Sequence, residues 1–123
     1  MNMGRLMAWI GSILLFLTGI GHGFRIADVQ KMIDASVMKA PLDAILKGCW
    51  LAFSGEMIAL AVIVAVASWL QKGGSIVLIA AATMIANALL LLHFMGPFVG
   101  VYVSVIVAFF FLAAGLLQIR QTA

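Results

Sequence analysis

The sequence predicts an all-α integral membrane protein: an up-down bundle of four transmembrane helices with a short amphipathic interfacial helix between helices 1 and 2. Hydrophobic residues make up 66% of the 123 residues and charged residues only 9%, against about 25% charged residues in an ordinary soluble domain. The apolar residues also fall into four runs, each close to the roughly 20 residues that a helix needs to cross the hydrocarbon core. This composition excludes a disordered chain, a nucleic-acid-binding module and a conventional soluble fold.

The four apolar runs predict a single membrane domain over residues 1–123, with spans at about 6–24, 48–70, 76–94 and 98–119. Backbone polar groups inside lipid must be satisfied within their own segment, so each run is predicted to be a helix. A tight turn containing Lys72 joins the second and third spans. A second turn, Met95 to Pro97, joins the third and fourth, and Pro97 suits the first turn of the following helix.

The segment from Arg25 to Lys47 is long and carries most of the charge. Four of its apolar residues recur at helical spacing, namely Ile26, Val29, Ile33 and Val37. This periodicity favours a short amphipathic helix lying in the membrane interface and ending before Pro41. The alternative is an ordered loop exposed to solvent.

Four spans place both termini on one side of the membrane, here named side A, together with the Lys72 turn. The Arg25–Lys47 segment and the Met95–Pro97 turn then lie on the other side, side B. Basic residues are divided almost evenly between the sides, so the positive-inside rule decides little. Three aspartates leave the long side-B segment near neutral, which favours cytoplasmic termini. We expect a multi-pass cell-membrane protein of the bacterial inner membrane.

Glu56 is the only acidic residue within a predicted span. At a rise of about 1.5 Å per residue it lies about 12 Å from the side-B end of its helix. An ionised carboxylate at that depth is costly, and such residues usually face a cavity or a partner. Further polar and aromatic residues of the four spans fall in the same side-B half: His22, Trp50, Ser54, Asn87, His93 and Tyr102, with Arg25 at its edge.

This distribution predicts one intramembrane pocket that binds a lipophilic small molecule and acts on it by acid/base chemistry, as an isomerase, cyclase or hydrolase would. Glu56, His22 and His93 are the predicted catalytic residues. The predicted ligand-binding residues are Asn87, Tyr102, Trp50, Ser54 and Arg25. Each of these except Glu56 also has a structural interpretation, as an interfacial aromatic residue, a headgroup contact or an interhelical hydrogen bond.

Three other functions stay open on the sequence: a proton-coupled transporter of small molecules, an accessory subunit of a membrane complex, and a haem protein with His22 and His93 as axial ligands. Apart from this haem alternative, no cofactor or metal is predicted, and no nucleic-acid partner. The fourth span carries small residues at four-residue spacing, which predicts close helix packing and a homodimer face. These residues are Gly96, Gly100, Ser104 and Ala108.

Overall fold

The computed structural model describes residues 1–37, 40–70 and 73–122, in which five α-helices and no strands occur. The helices are α1 (Met3–Phe24), α2 (Ile26–Asp34), α3 (Leu42–Ala67), α4 (Gly74–Met95) and α5 (Val99–Thr122). All except α2 are long and apolar enough to cross a membrane. The predicted all-α fold with four candidate spans is therefore confirmed. Lys39 and Lys72, which entered the charge count and the predicted turn, lie outside the described residues.

Helix α3 begins at Leu42, well before the predicted start near Gly48. The added turns contain Asp43 and Lys47, whose charged groups lie 4.0 Å apart at the i, i+4 spacing that favours a helix. Pro41 precedes the first helical residue, where the lack of a backbone N–H costs nothing. The helix therefore extends beyond the apolar run from which the span was predicted.

The charged segment between the first two spans contains α2, a nine-residue helix. Its residues Val29 and Ile33 are buried, as the apolar spacing predicts. Lys47 Nζ donates a hydrogen bond of 2.9 Å to Gln30 Oε1 and so ties α2 to α3. Val37 lies beyond the end of α2 and is exposed. The location of α2 in a membrane interface stays a prediction.

The four long helices pack in the order α4, α5, α1, α3, while α3 and α4 contact each other far less although a short turn joins them. Glycines set the close approaches. A Cβ atom at Gly115 of α5 would lie 3.0 Å from the carbonyl oxygen of Gly74 in α4, and a Cβ at Gly74 would lie 3.0 Å from that of Gly115. The backbones of α4 and α5 can meet here only because both residues lack a side chain.

The beginning of α1 and the ends of α3 and α5 lie together at one end of the molecule. Asn2 Nδ2 donates a hydrogen bond of 2.7 Å to Gln121 Oε1. Arg5 Nε donates one of 3.1 Å to the Ser68 carbonyl, and its guanidinium lies 5.0 Å from the Trp69 ring centroid. These contacts place both chain ends side by side.

The small-residue ridge predicted on the fourth span is partly used inside the chain. Gly96 lies in the turn before Pro97, with a positive φ of 73° that favours glycine. Ser104 and Ala108 are buried against the chain's own helices. The homodimer predicted through this ridge remains untested, and half of the ridge has intramolecular neighbours.

Candidate functional site

The C-terminal end of α1 lies close to α3 because of Gly19. A Cβ atom at this position would lie 2.9 Å from Ile58 Cγ1 and 3.1 Å from the Ser54 carbonyl oxygen. The absence of a side chain lets the two backbones approach. As a result, His22 in the last turn of α1 lies directly against Trp50 and Ser54 of α3.

His22 is held by hydrogen bonds to α3. Its Nδ1 lies 2.7 Å from Ser54 Oγ, and the Ser54 hydroxyl donates a bond of 3.1 Å to the Trp50 carbonyl. The Trp50 indole Nε1–H donates a bond of 2.8 Å back to the His22 carbonyl, one of the last carbonyls of α1. Three residues thus form one connected network between two helices.

Aromatic contacts fix the imidazole plane as well. The rings of His22 and Trp50 are stacked with centroids 3.8 Å apart and an interplanar angle of 15°. Phe53 approaches the imidazole edge-on, with a centroid distance of 5.4 Å. We call His22, Trp50, Phe53 and Ser54 the histidine cluster. Phe53 was not predicted as a site residue, because a phenylalanine within an apolar run cannot be distinguished by sequence from an aromatic residue that packs in the core.

The network couples the tautomer of His22 to the direction of the Ser54 hydroxyl. A hydroxyl has one proton, and both His22 Nδ1 and the Trp50 carbonyl lie within hydrogen-bond distance of Ser54 Oγ. When Ser54 donates to the Trp50 carbonyl, its oxygen accepts from Nδ1–H, and neutral His22 is the Nδ1-protonated tautomer. Nε2 then carries a lone pair and has no hydrogen-bond partner among the described residues. This atom can accept a hydrogen bond or a proton, and with Nδ1 anchored it is also oriented.

In this arrangement the Ser54 proton is directed to the Trp50 carbonyl instead of the imidazole, so His22 does not activate Ser54 as a nucleophile. The residue is also buried. Ser54 is therefore a positioning residue that orients His22.

Most of the other predicted site residues lie elsewhere. Glu56 is on the exposed face of α3, turned away from α1. Asn87 is half-buried on α4, and Tyr102 is 60% exposed on α5. None of these three is linked to the histidine cluster by a hydrogen bond or ring contact in the part of the chain that the structure describes. The single pocket predicted from their common depth is therefore not assembled around Glu56.

His93 and Arg25 are also separate from the histidine cluster. His93 is exposed near the end of α4 and makes an edge-on ring contact with Phe94. Arg25 is exposed at the junction of α1 and α2, where its Nε lies 3.4 Å from Asp28 Oδ2. His22 and His93 lie on α1 and α4, which are separated by α5 in the packing order, and their role as axial haem ligands stays an untested alternative. Within the described ranges, no group of three His, Cys, Asp or Glu residues could hold a metal ion.

Two apolar grooves open between neighbouring helices, and no predicted site residue lines either of them. One, of about 330 Å³, lies between α4 and α5 and includes Ala88 and Phe109. The other, of about 410 Å³, lies between α1 and α3 and includes Trp9 and Ser12. Trp9 Nε1 and Ser12 Oγ are buried without a hydrogen-bond partner in the described part of the chain. Because neither group titrates, a search for ionisable residues overlooks them.

Models of known protein families, curated proteins and solved structures contain no match to this chain. The function must therefore be inferred from the site itself. The histidine cluster holds an imidazole between two helices by hydrogen bonds and ring contacts, which makes it the strongest candidate.

The tautomer of His22 can be measured directly. We expect ¹⁵N NMR of the imidazole, recorded in lipid nanodiscs above the pH at which His22 is protonated, to show a protonated Nδ1 and an unprotonated Nε2. Ser54→Ala removes the acceptor and should raise the population of the other tautomer. Ser12→Ala is the matched control on α1 and should leave the His22 spectrum unchanged. A protonated Nε2 in the unsubstituted protein would contradict the network described above.

Proposed function

We propose that this chain is an integral membrane protein and that its four long apolar helices all cross the bilayer. Residues with a charged or strongly polar head are rare on these helices, and large apolar side chains dominate their exposed faces. In water such surfaces would associate, whereas in lipid they are solvated. Helix α2, with its two buried apolar residues and exposed charges, then lies along the side-B surface.

We further propose that the histidine cluster binds a lipophilic small molecule through His22 Nε2. The observation that supports this is the contact of Nδ1 with Ser54, which orients the imidazole. With Ser54 donating to the Trp50 carbonyl, Nε2 carries the lone pair. A lone pair accepts, so the ligand must offer a donor: a hydroxyl, phenol or protonated carboxyl group on an apolar body. Trp50 and Phe53 contact the imidazole, so apolar aromatic side chains border the proposed binding atom.

The same geometry suits acid/base chemistry. An oriented neutral imidazole can take the proton of a bound hydroxyl or carboxyl group and later return it. The developing positive charge on His22 would be shared with Ser54 through the Nδ1–H bond. The proposal assigns the base to His22 alone, because Glu56 and His93 lie on other faces of the molecule.

The proposal is tested by photolabelling with a long-chain alcohol that carries a diazirine in its tail, using purified protein in nanodiscs. We expect labelled peptides from the side-B ends of α1 and α3. His22→Phe keeps a ring to stack on Trp50 but removes both nitrogens, and should weaken binding about five- to 150-fold, the cost of leaving the ligand hydroxyl unpaired. His93→Phe makes the same change at the exposed histidine of α4 and should have no effect.

A second ligand distinguishes binding through the hydrogen bond from nonspecific hydrophobic binding. The methyl ether of the same alcohol cannot donate, so the unsubstituted protein should bind it as weakly as His22→Phe binds the alcohol. Equal labelling by alcohol and ether, or equal loss in the two histidine variants, would refute the proposed role of Nε2.

A further inference from the structure

The carboxyl group of Glu56 lies in a long apolar helix without a polar partner among the described residues. It lies well inside α3, between Phe53 and Ala59 along the helix, on the face that is exposed in the isolated chain. No side-chain hydrogen bond or ion pair reaches it from the described residues. If α3 crosses the bilayer, as proposed above, a carboxyl group at this depth is expensive to leave in contact with lipid. Glu56 has no partner among the described residues, and a second chain can supply one.

The face that carries Glu56 has the pattern of a helix-pairing surface. α1 packs on the face of α3 that holds Ser54, Met57, Ala61 and Val64. On the opposite face, exposed residues follow one another at alternating intervals of three and four residues. This is the spacing of positions a and d of a heptad. Its residues, which we call the α3 stripe, are all exposed: Leu42, Ile45, Cys49, Ala52, Glu56, Ala59, Ile63 and Val66.

The middle of the α3 stripe is built for close approach. Small residues flank Glu56 at Ala52 and Ala59. The adjoining Gly55 has open space around it, since a Cβ atom there would meet no other atom within 4 Å. Small residues let membrane helices come close enough for a side-chain hydrogen bond across the interface. In addition, α3 is at one end of the helix row, so none of the chain's own long helices covers this face.

We propose that the α3 stripe is a dimer interface with a second copy of this chain, centred on a hydrogen bond between the two Glu56 side chains. A protonated carboxyl group donates through O–H and accepts through C=O, so it is complementary to itself. A two-fold axis along the membrane normal brings identical residues together at the same depth. A single polar residue at position a also fixes register and the number of helices in such a pair.

Cys49 provides the test, because it occupies position a one heptad before Glu56 and is exposed. In a parallel pair the two Cys49 thiols face each other across the axis. Oxidation of the unsubstituted protein in native membranes should therefore give a disulfide-linked dimer. The control is Leu51→Cys in a Cys49→Ala background: Leu51 is exposed at nearly the same depth but lies outside the stripe. It should cross-link far less.

The role of Glu56 is tested by comparing two substitutions. Glu56→Leu removes the hydrogen bond and should weaken dimerisation about three- to thirty-fold, the change that corresponds to about 0.6–2 kcal/mol for a polar contact between membrane helices. Glu56→Gln remains both donor and acceptor and should dimerise nearly as well as the unsubstituted protein. Because Glu56 is exposed, both variants should keep the monomer fold, which the His22 NMR signal reports independently.

Two outcomes would overturn the interface. Equal cross-linking from Cys49 and from Leu51→Cys would indicate random collision instead of a defined face. Unchanged dimerisation of Glu56→Leu, measured by energy transfer between labelled copies at increasing dilution in lipid, would show that the carboxyl group does not hold the pair.

Discussion

Phe111→Ala is expected to lower the unfolding free energy by about 2–3 kcal/mol, taking about 24 cal/mol per Å³ over the roughly 100 Å³ of a lost ring. Phe111 is fully buried and is the largest such side chain in the described core. In a membrane the unfolded helices already lie in an apolar solvent, so the transfer contribution is small and the lost packing dominates. Unfolding in mixed detergent micelles measures the change. Phe109→Ala, at a 62% exposed position on the same helix, is the control and should have little effect.

The cavity left by Phe111→Ala should be filled by enlarging Gly11 on α1. A Cβ atom at Gly11 would lie 2.6 Å from Phe111 Cε1, so Gly11→Ala alone forces the buried ring to shift and is destabilising. The double variant Phe111→Ala, Gly11→Leu exchanges the two volumes. Its loss should be smaller than the sum of the single losses by about 0.5–3 kcal/mol. Strict additivity would mean that these residues do not share one packing contact.

Gly115→Leu is expected to separate α4 from α5 and to cost about 3 kcal/mol, the upper part of the usual range for overpacking. A Cβ atom at Gly115 would lie 2.7 Å from Leu78 Cγ and 3.0 Å from the Gly74 carbonyl oxygen. The Leu78 side chain can rotate, but the carbonyl is part of the helix backbone and cannot. The same unfolding titration measures the loss.

Gly21→Leu is the matched control for Gly115→Leu. It makes the same change in a long helix, but a Cβ atom at Gly21 would meet no other atom within 4 Å. Its unfolding free energy should stay within about 0.5 kcal/mol of the unsubstituted protein, as at an ordinary surface position. If the two variants were equally unstable, the loss would not come from the α4–α5 contact.

The four long apolar helices could be predicted from the sequence because each contains an apolar run of about 20 residues, the length of a candidate membrane span. The start of α3 could not be predicted in this way. Asp43 and Lys47 interrupt the apolar run, but their i, i+4 pair favours a helix. Likewise, Val37 continues the apolar spacing of α2, but the helix stops at Asp34. Hydropathy thus predicts how many helices occur, whereas capping and local charge pairs decide where each one ends.

Only some of the predicted site residues contact one another. The position of a residue along its helix is easier to predict from the sequence than the direction in which the residue faces around the helix axis. Residue counting placed His22, Trp50 and Ser54 at one end of their helices, and Gly19 brings those ends together. Helix α3 is apolar around most of its circumference, so no amphipathic stripe in the sequence shows which face meets α1. Glu56 has the expected position along α3, but packing against α1 turns it outward.

The hydrogen bond between Asn2 and Gln121 has a consequence for gene architecture. Because Asn2 and Gln121 are hydrogen-bonded, a short linker can join the end of α5 to the start of a second α1. If the four long helices cross a membrane as proposed, a duplicated and fused gene would encode eight helices with both halves inserted in the same direction. That is the relative orientation required by a two-fold axis along the membrane normal, so a single-chain tandem of this protein could form the Glu56-centred pair within one polypeptide.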